Sequence, residues 1–313
     1  MSILVTGSIA YDTIMVFPDR FKNHLLADQL HILNVCFLTP EMRREYGGTA
    51  GNIGYNLRLL GEDPLVMATV GEDIQPYLDR FARLKIDTRL FKRIAGQFTA
   101  QAFITTDLDD NQITAFHPGA MNHSHENRID GGLRASIAII GPDGKQGMVQ
   151  HARECAAHGV PLLFDPGQGL PMFSGEEIGE LLRLADYVAV NDYEGKLLEE
   201  KTGRGLEDLA REVKALVYTL GARGSVILAG GQRHEIPCVP AEKVVDPTGC
   251  GDAYRAGLLY GIAHGWDWPS TGKLGSLMGA IKVAHRGAQN HAPAREEIEA
   301  RFKRAFGYSP WKG

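Results

Sequence analysis

Short apolar runs trade places with helix-compatible stretches along most of this chain, and that exchange excludes most folds. Residues 3–5, 65–70, 137–140, 161–164, 187–190, 216–219 and 225–228 read as strands, several of them ending in Gly, Asp or Asn. Between many of them, residues 52–60, 76–84, 148–157, 178–185, 193–201 and 206–214 suit helices. Strands alternating with helices give an α/β fold built on a mainly parallel sheet covered on both faces. Ligands then bind in the crevice at the carboxyl ends of the strands. Two segments break the alternation. Residues 27–38 and 99–116 are β-rich, and the second reads as a hairpin around a polar turn at 107–111. Neither can form a core alone, so together they are expected to make a small β-sheet lid. The 313 residues suit one large α/β part, about 1–12, 46–96 and 120–313, with a lid of about 13–45 and 97–119. Residues 293–313 read as one charged helix and a short end.

The stretch Val244-Val245-Asp246-Pro247-Thr248-Gly249-Cys250-Gly251-Asp252-Ala253-Tyr254-Arg255-Ala256-Gly257 carries the sharpest chemical signal. An apolar pair runs into Pro, then a Gly-x-Gly turn, then a helix. Such a turn leaves backbone N–H groups unpaired and aligned, and the helix dipole adds positive charge there. That suits a phosphate or the charge that develops in phosphoryl transfer. Asp252 stands where the turn becomes the helix and can take a proton from an incoming hydroxyl. The expectation is small-molecule kinase chemistry. Cys250 at a helix start could react through a lowered pKa, but a small residue filling a tight turn is the favoured reading.

Other elements are weaker singly. Gly47-Gly48-Thr49-Ala50-Gly51-Asn52-Ile53-Gly54-Tyr55-Asn56 is either a ligand-approach turn or a tightly packed helix start. Asp12 follows the first strand and can accept hydrogen bonds from two neighbouring hydroxyls, or cap a turn. Asn191 and Glu194 stand three apart at a strand end, suiting Mg²⁺ or its waters, or a plain capping box. Thr219-Leu220-Gly221-Ala222-Arg223-Gly224 is a glycine turn open to nucleotide phosphates or an ordinary hairpin connection. Asp165 follows a strand and either reaches the phosphate region or ends the strand. No G-x-x-x-x-G-K-[ST] and no G-x-G-x-x-G after the first strand occur, which counts against P-loop and dinucleotide enzymes.

Composition removes other classes. A formal charge of −5 argues against nucleic acid as the main partner. No apolar run reaches membrane-spanning length, and the first residues read as a strand instead of a signal peptide. A cytoplasmic enzyme with reduced thiols is expected, because Cys36, Cys155, Cys238 and Cys250 form no CxxC pair. His123-Ser124-His125 has a metal-like spacing in a polar stretch without an obvious fourth ligand, so a solvated turn is favoured.

Together these elements resemble the ribokinase-like (PfkB) carbohydrate kinase family, in its order and over nearly the whole chain. The late motif departs from the family form only in Cys250, which stands where Ala is usual. The resemblance implies a ribokinase-like fold using ATP and Mg²⁺. It makes Asp252 the general base and the N–H groups of Gly249, Cys250, Gly251 and Asp252 the anion hole. Asn191 and Glu194 match its N-x-x-E motif, with Glu194 near Mg²⁺ through water. Thr219, Gly221 and Gly224 match its nucleotide segment, and Asp12, Gly48, Asn52 and Asn56 its substrate-hydroxyl contacts. Residues 283–289 resemble the segment flanking the adenine and a monovalent-cation loop. In members that bind K⁺, Asp246 would be the cation's carboxylate neighbour.

The acceptor is the open choice. A nucleoside needs a flat apolar slot for its base, and a free sugar needs more polar partners. Residues 7–12 and Phe116-His117-Pro118-Gly119-Ala120-Met121 look similar to the bacterial adenosine and nucleoside kinases of the family. Phe116 is then a base contact and adenosine the expected acceptor. Polar lid residues such as Gln101 and Thr114 keep a ribokinase- or fructokinase-like acceptor open, and the lid aromatics could equally form a core or a homodimer contact. A non-catalytic binding module and a nucleotide-dependent oxidoreductase remain as rivals. The intact Asp252 turn and the missing dinucleotide glycines count against them.

Overall fold

The computed structural model describes residues 2–25, 34–109 and 111–311. In chain order its elements are β1 (Ser2–Thr6), β2 (Ala10–Val16), β3 (Glu41–Gly47), α1 (Thr49–Leu59), β4 (Leu65–Val70), α2 (Gln75–Leu84), β5 (Asp87–Arg93), β6 (Ala100–Thr106), β7 (Gln112–His117), β8 (Ala135–Ile140), α3 (Lys145–Ala157), β9 (Leu162–Phe164), α4 (Gly175–Leu184), β10 (Tyr187–Asn191), α5 (Asp192–Thr202), α6 (Leu206–Leu209), β11 (Ala215–Thr219), β12 (Ser225–Ala229), β13 (Gln232–Ile236), α7 (Cys250–Ala263), α8 (Trp268–Val283) and α9 (Arg295–Phe306).

Nine strands form the main sheet in the order β13-β12-β11-β10-β9-β8-β1-β4-β5. The pairings from β5 to β11 are parallel, and β12 and β13 follow antiparallel. Alternation along each strand sorts side chains to two cores. Ile3, Val5, Ile139, Val217 and Ile227 join one, with residues of α1, α7 and α8. Leu4, Ile140, Phe164, Val190 and Leu216 join the other, with residues of α3 and α4. Strands buried on both faces lose the polar alternation of a half-exposed sheet, which is why they read as continuous apolar runs. The register brings Thr6, Ile140 and Phe164 into one row and sets Asn191 beside Thr219. The strands' carboxyl ends therefore share one rim.

The second sheet has four strands in the order β3-β2-β6-β7. The expected hairpin of β6 and β7 is present, with Phe103 opposite Ala115. Its partners differ from expectation. Of the 27–38 segment, residues 27–33 lie outside the described residues and 34–38 hold no strand. The other two strands are β2 and β3 instead. Asp12 thus sits on the small sheet. The expected helix over 206–214 shortens to the single turn of α6, and residues 210–213 lead as a turn to Lys214, whose N–H donates to Asp186 O at 2.7 Å just before β11.

Candidate active site

Asp252 lies in the first turn of α7, whose N-cap Gly249 has φ 78°. A side chain there would be strained by that backbone, and its Cβ would come 2.7 Å from Ala288 Cβ. The turn closes with Cys250 N–H donating to Pro247 O at 3.1 Å, and Ala253 N–H returns to Gly249 O at 3.0 Å. Of the four amides expected to form an anion hole, Cys250's is therefore engaged in the turn. Those of Gly249, Gly251 and Asp252 donate no hydrogen bond among the described residues. Three free donors at a helix start suit a multiply charged oxyanion.

The Asp252 carboxyl is pushed up to about 7, first by burial and also by the nearby Asp165 and Asp12 carboxylates. Asn52 Nδ2 donates to its Oδ2 at 2.7 Å, and Arg255 opposes the rise. A carboxylate poised near neutral pH is the state suited to accepting a proton. Asn52 is held in turn. Its Oδ1 accepts from Gln289 Nε2 at 3.0 Å, Gln289 Nε2 also contacts Tyr77 Oη at 2.7 Å, and Tyr77 donates to Gly47 O at 2.8 Å. Asn56 is fully buried, donating to Asn52 O and paired with His291, so it supports the helix and does not line the cleft. Gly48 has φ 86°, and a Cβ there would lie 2.5 Å from Ala10 N and Ser8 O. That close approach starts α1 against the β1–β2 turn and sets Asn52 in place.

Asp12 faces the same cleft from the small sheet. Burial raises it to about 6, with Asp246 and Glu45 adding to the rise. Gly47 has no Cβ where one would meet Asp12 Oδ2 at 2.6 Å. In the register Glu45, Asp12, Ala102 and Phe116 stand in one row across β3, β2, β6 and β7. Paired residues share a face, so Phe116 is on the Asp12 side, two strands or about 10 Å away. Small Ala102 lies between them. Gln101 turns to the other face and donates to Asp73 Oδ2 at 3.0 Å, so it does not offer the cleft a polar contact.

Asn191 and Glu194 form the capping box of α5, each backbone N–H bonded to the other's side chain at 2.8 Å. Burial raises the Glu194 pKa, opposed by Arg255, whose Nη2 lies 3.9 Å from Glu194 Oε2. Arg255 is itself buried and holds Asp165 through two bonds, 3.0 and 3.3 Å. Asp165 therefore serves the site by fixing this arginine. Thr219 ends β11 beside Asn191, followed by Gly221 with φ 58° and Gly224 with φ 88°. Gly221 faces open space, and Gly224 packs against Ile236 O. Arg223 reaches Asp192 at 3.3 Å across the two turns.

Among the described residues no three His, Cys, Asp or Glu side chains are arranged to hold a metal ion. The His123–His125 stretch is a short helical turn in which His123 contacts Glu126 at 3.1 Å and Ser124 is buried. The Cys250 thiol is pushed up to about 11 by burial, so the helix terminus does not activate it. Gln289, Tyr77, Arg255 and Lys282 were not singled out from the sequence. Arg255 had a signal, a lone charge one turn past Asp252 inside an apolar helix.

Residues 9–295 match the pfkB family of carbohydrate kinases. The chain belongs to that family. It is accordingly a phosphotransferase that uses ATP and an alcohol acceptor, with the ribokinase-like fold. The Burkholderia thailandensis nucleoside kinase solved with inosine is 54% identical, with a TM-score of 0.90 over 99% of this chain and 100% of that one. The same enzyme solved with ADP-inosine is also 54% identical, at 0.87 over 100% and 98%. Methanocaldococcus jannaschii nucleoside kinase is 31% identical over 87% of this chain and 90% of its own. An Escherichia coli fructokinase is 33% identical over 81% and 86%. No helix among the described residues is long and apolar enough to cross a membrane.

Proposed function

We propose that this pfkB kinase transfers the γ-phosphoryl of ATP to the 5′-hydroxyl of a purine nucleoside, adenosine or inosine. The row Asp12–Ala102–Phe116 carries the reading. A carboxylate for vicinal ribose hydroxyls and an aromatic face about 10 Å away match the span from a ribose to its base. The 54% identical neighbour's complex with inosine supports the same class.

In the mechanism Asp252 takes the hydroxyl proton as the oxygen attacks the γ-phosphorus, and the bond from that phosphorus to the ADP oxygen breaks. The Gly249, Gly251 and Asp252 amides hold the charge on the transferring group. Asn52 fixes the base in line, and Gln289 fixes Asn52. Thr219 and the Gly221–Gly224 turn bind the nucleotide phosphates. Mg²⁺ supplies neutralisation of phosphate charge, and Asn191 and Glu194 are the residues that would hold it, through water. Glu194 suits that task as an acid at the rim whose Oε2 takes Asn191 N–H at 2.8 Å, with the Asp165 and Asp192 carboxylates near enough to add negative charge.

ADP release measured with adenosine, inosine, cytidine, ribose and fructose tests the reading. A preference for purine nucleosides of at least tenfold in kcat/KM is expected, and a preference for free ribose or fructose would overturn it. A homodimer through the lid is part of the proposal. Met42, Phe103 and Ile113 are exposed on the sheet face opposite Asp12, where a second copy would cover them. Sedimentation as a monomer at micromolar concentration would refute it.

A further inference from the structure

Helix α8 closes on Leu277-Met278-Gly279-Ala280-Ile281 and then Lys282, which is 0% exposed. An ammonium so buried is costly unless oxygens accept hydrogen bonds from it. Its Nζ donates to the main-chain carbonyls of Asp246 at 2.6 Å and His285 at 3.0 Å. These carbonyls belong to two turns that the rest of the network ties together. Val245 and Asp246 N–H both donate to Val283 O, at 2.8 and 3.1 Å, and Gly287 N–H donates to Asp246 Oδ2 at 2.8 Å. Asp246 Oδ1 takes Thr248 N–H at 2.9 Å, one residue before Gly249. The restraints run from the ammonium straight to the turn that presents the anion-binding amides.

The resemblance described above implies a dissolved monovalent cation beside Asp246 in members that bind one. The residues here do not fit such an ion. Main-chain carbonyls on these two turns are the ligands it would need, and the Lys282 ammonium, close to K⁺ in size and equal in charge, already satisfies them. We propose that Lys282 is this enzyme's own covalently attached cation: it locks residues 246–249 to residues 283–287, keeps the Gly249, Gly251 and Asp252 amides convergent, and replaces K⁺. Lys282 is a positioning residue, acting on the transferring phosphoryl through the turn. This inference rests on the kinase reading above.

The test uses the full chain with ATP, Mg²⁺ and inosine, in K⁺, Na⁺ or tetramethylammonium chloride at equal ionic strength. Wild-type turnover and melting temperature are expected to be the same in all three, within about twofold for turnover. Lys282→Ala should lose on the order of 10- to 100-fold in kcat with a smaller change in KM, as loosened positioning does. K⁺ or ammonium, but not tetramethylammonium, should restore part of that rate and raise the variant's melting temperature. Lys282→Arg keeps the charge and should retain more activity than Lys282→Ala. Stimulation of the wild type several-fold by K⁺ over Na⁺ overturns the proposal, whether or not any variant folds. A folded Lys282→Ala that no cation rescues in rate or melting temperature also overturns it. If the wild type phosphorylates no nucleoside in any salt, the nucleoside reading fails, and the melting-temperature series still decides the role of Lys282.

Discussion

Replacing Asp252 by Asn separates two consequences of one carboxyl group. The first is chemical. The amide keeps the shape and can still accept from Asn52, but it cannot take the hydroxyl proton, so kcat should fall by about 10²- to 10⁴-fold. The second is thermodynamic, and its sign is opposite. The folded pKa is pushed up to about 7 from 3.8, so between those values the native chain holds a proton that the unfolded chain releases. Native stability therefore falls as pH rises through that window. Each pH unit is worth about 1.4 kcal/mol, so the loss between pH of about 5.5 and about 7 is about 2 kcal/mol. Solvent at the half-buried carboxyl makes that figure an upper bound. The variant has no such titration and escapes the loss. At about 2 °C per kcal/mol for a chain of this size, its melting-temperature advantage should grow by up to about 4 °C between pH 5.5 and pH 8. Wild-type kcat/KM should rise with pH to a plateau above about 7, since the base must be ionised. The assays are ADP release and thermal unfolding of both proteins across pH. Near-normal turnover in the variant, or a melting-temperature difference independent of pH, would refute the assignment of Asp252 as a buried general base.

Phe116→Ala should raise KM for inosine by about 5- to 150-fold, the loss of about 1–3 kcal/mol of base stacking, while leaving any activity on ribose unchanged; equal losses on both acceptors would remove Phe116 from base recognition. The two nucleotide-turn glycines should differ sharply under urea. A Cβ at Gly224 would stand 2.1 Å from Ile236 O at φ 88°, so Gly224→Ala should cost several kcal/mol, whereas Gly221→Ala meets open space and should cost about 1 kcal/mol for its φ of 58° alone. Arg255→Met leaves Asp165 and Glu194 buried without their cation and should destabilise by about 3–5 kcal/mol. Adding Asp165→Asn should return part of that, and no recovery in the double variant would show that the ion pair is not the source.

What the sequence disclosed about this protein follows from how locally each feature is determined. The strand at 65–70 was legible because both of its faces are buried, which leaves a run with no competing polar pattern. The Asp252 turn was legible because Gly249 must adopt φ 78° and no residue with a side chain does so cheaply. The capping box of Asn191 and Glu194 was also visible, because it is set by two residues three apart, and the structure adds that its Glu194 is buried at the rim. The small sheet was misread where its pairing is non-local. β2 lies beside β6, about 90 residues later in the chain, and nothing near residues 10–16 reveals that partner. The same limit hid Gln289 and Lys282. Gln289 contacts Asn52 across 237 residues, and Lys282 reaches Asp246 across 36. Lys282 acts on backbone carbonyls that any sequence would provide, and Gln289 acts on Asn52 and Tyr77, side chains far from it in the chain. The one trace such residues leave is a polar or charged side chain inside an apolar helix or at its end, and Arg255 and Lys282 both carry it. A lone charge of that kind is costly without a partner. It therefore points inward to whatever needs holding, which here is the turn at residues 246–252 and the acids beside it.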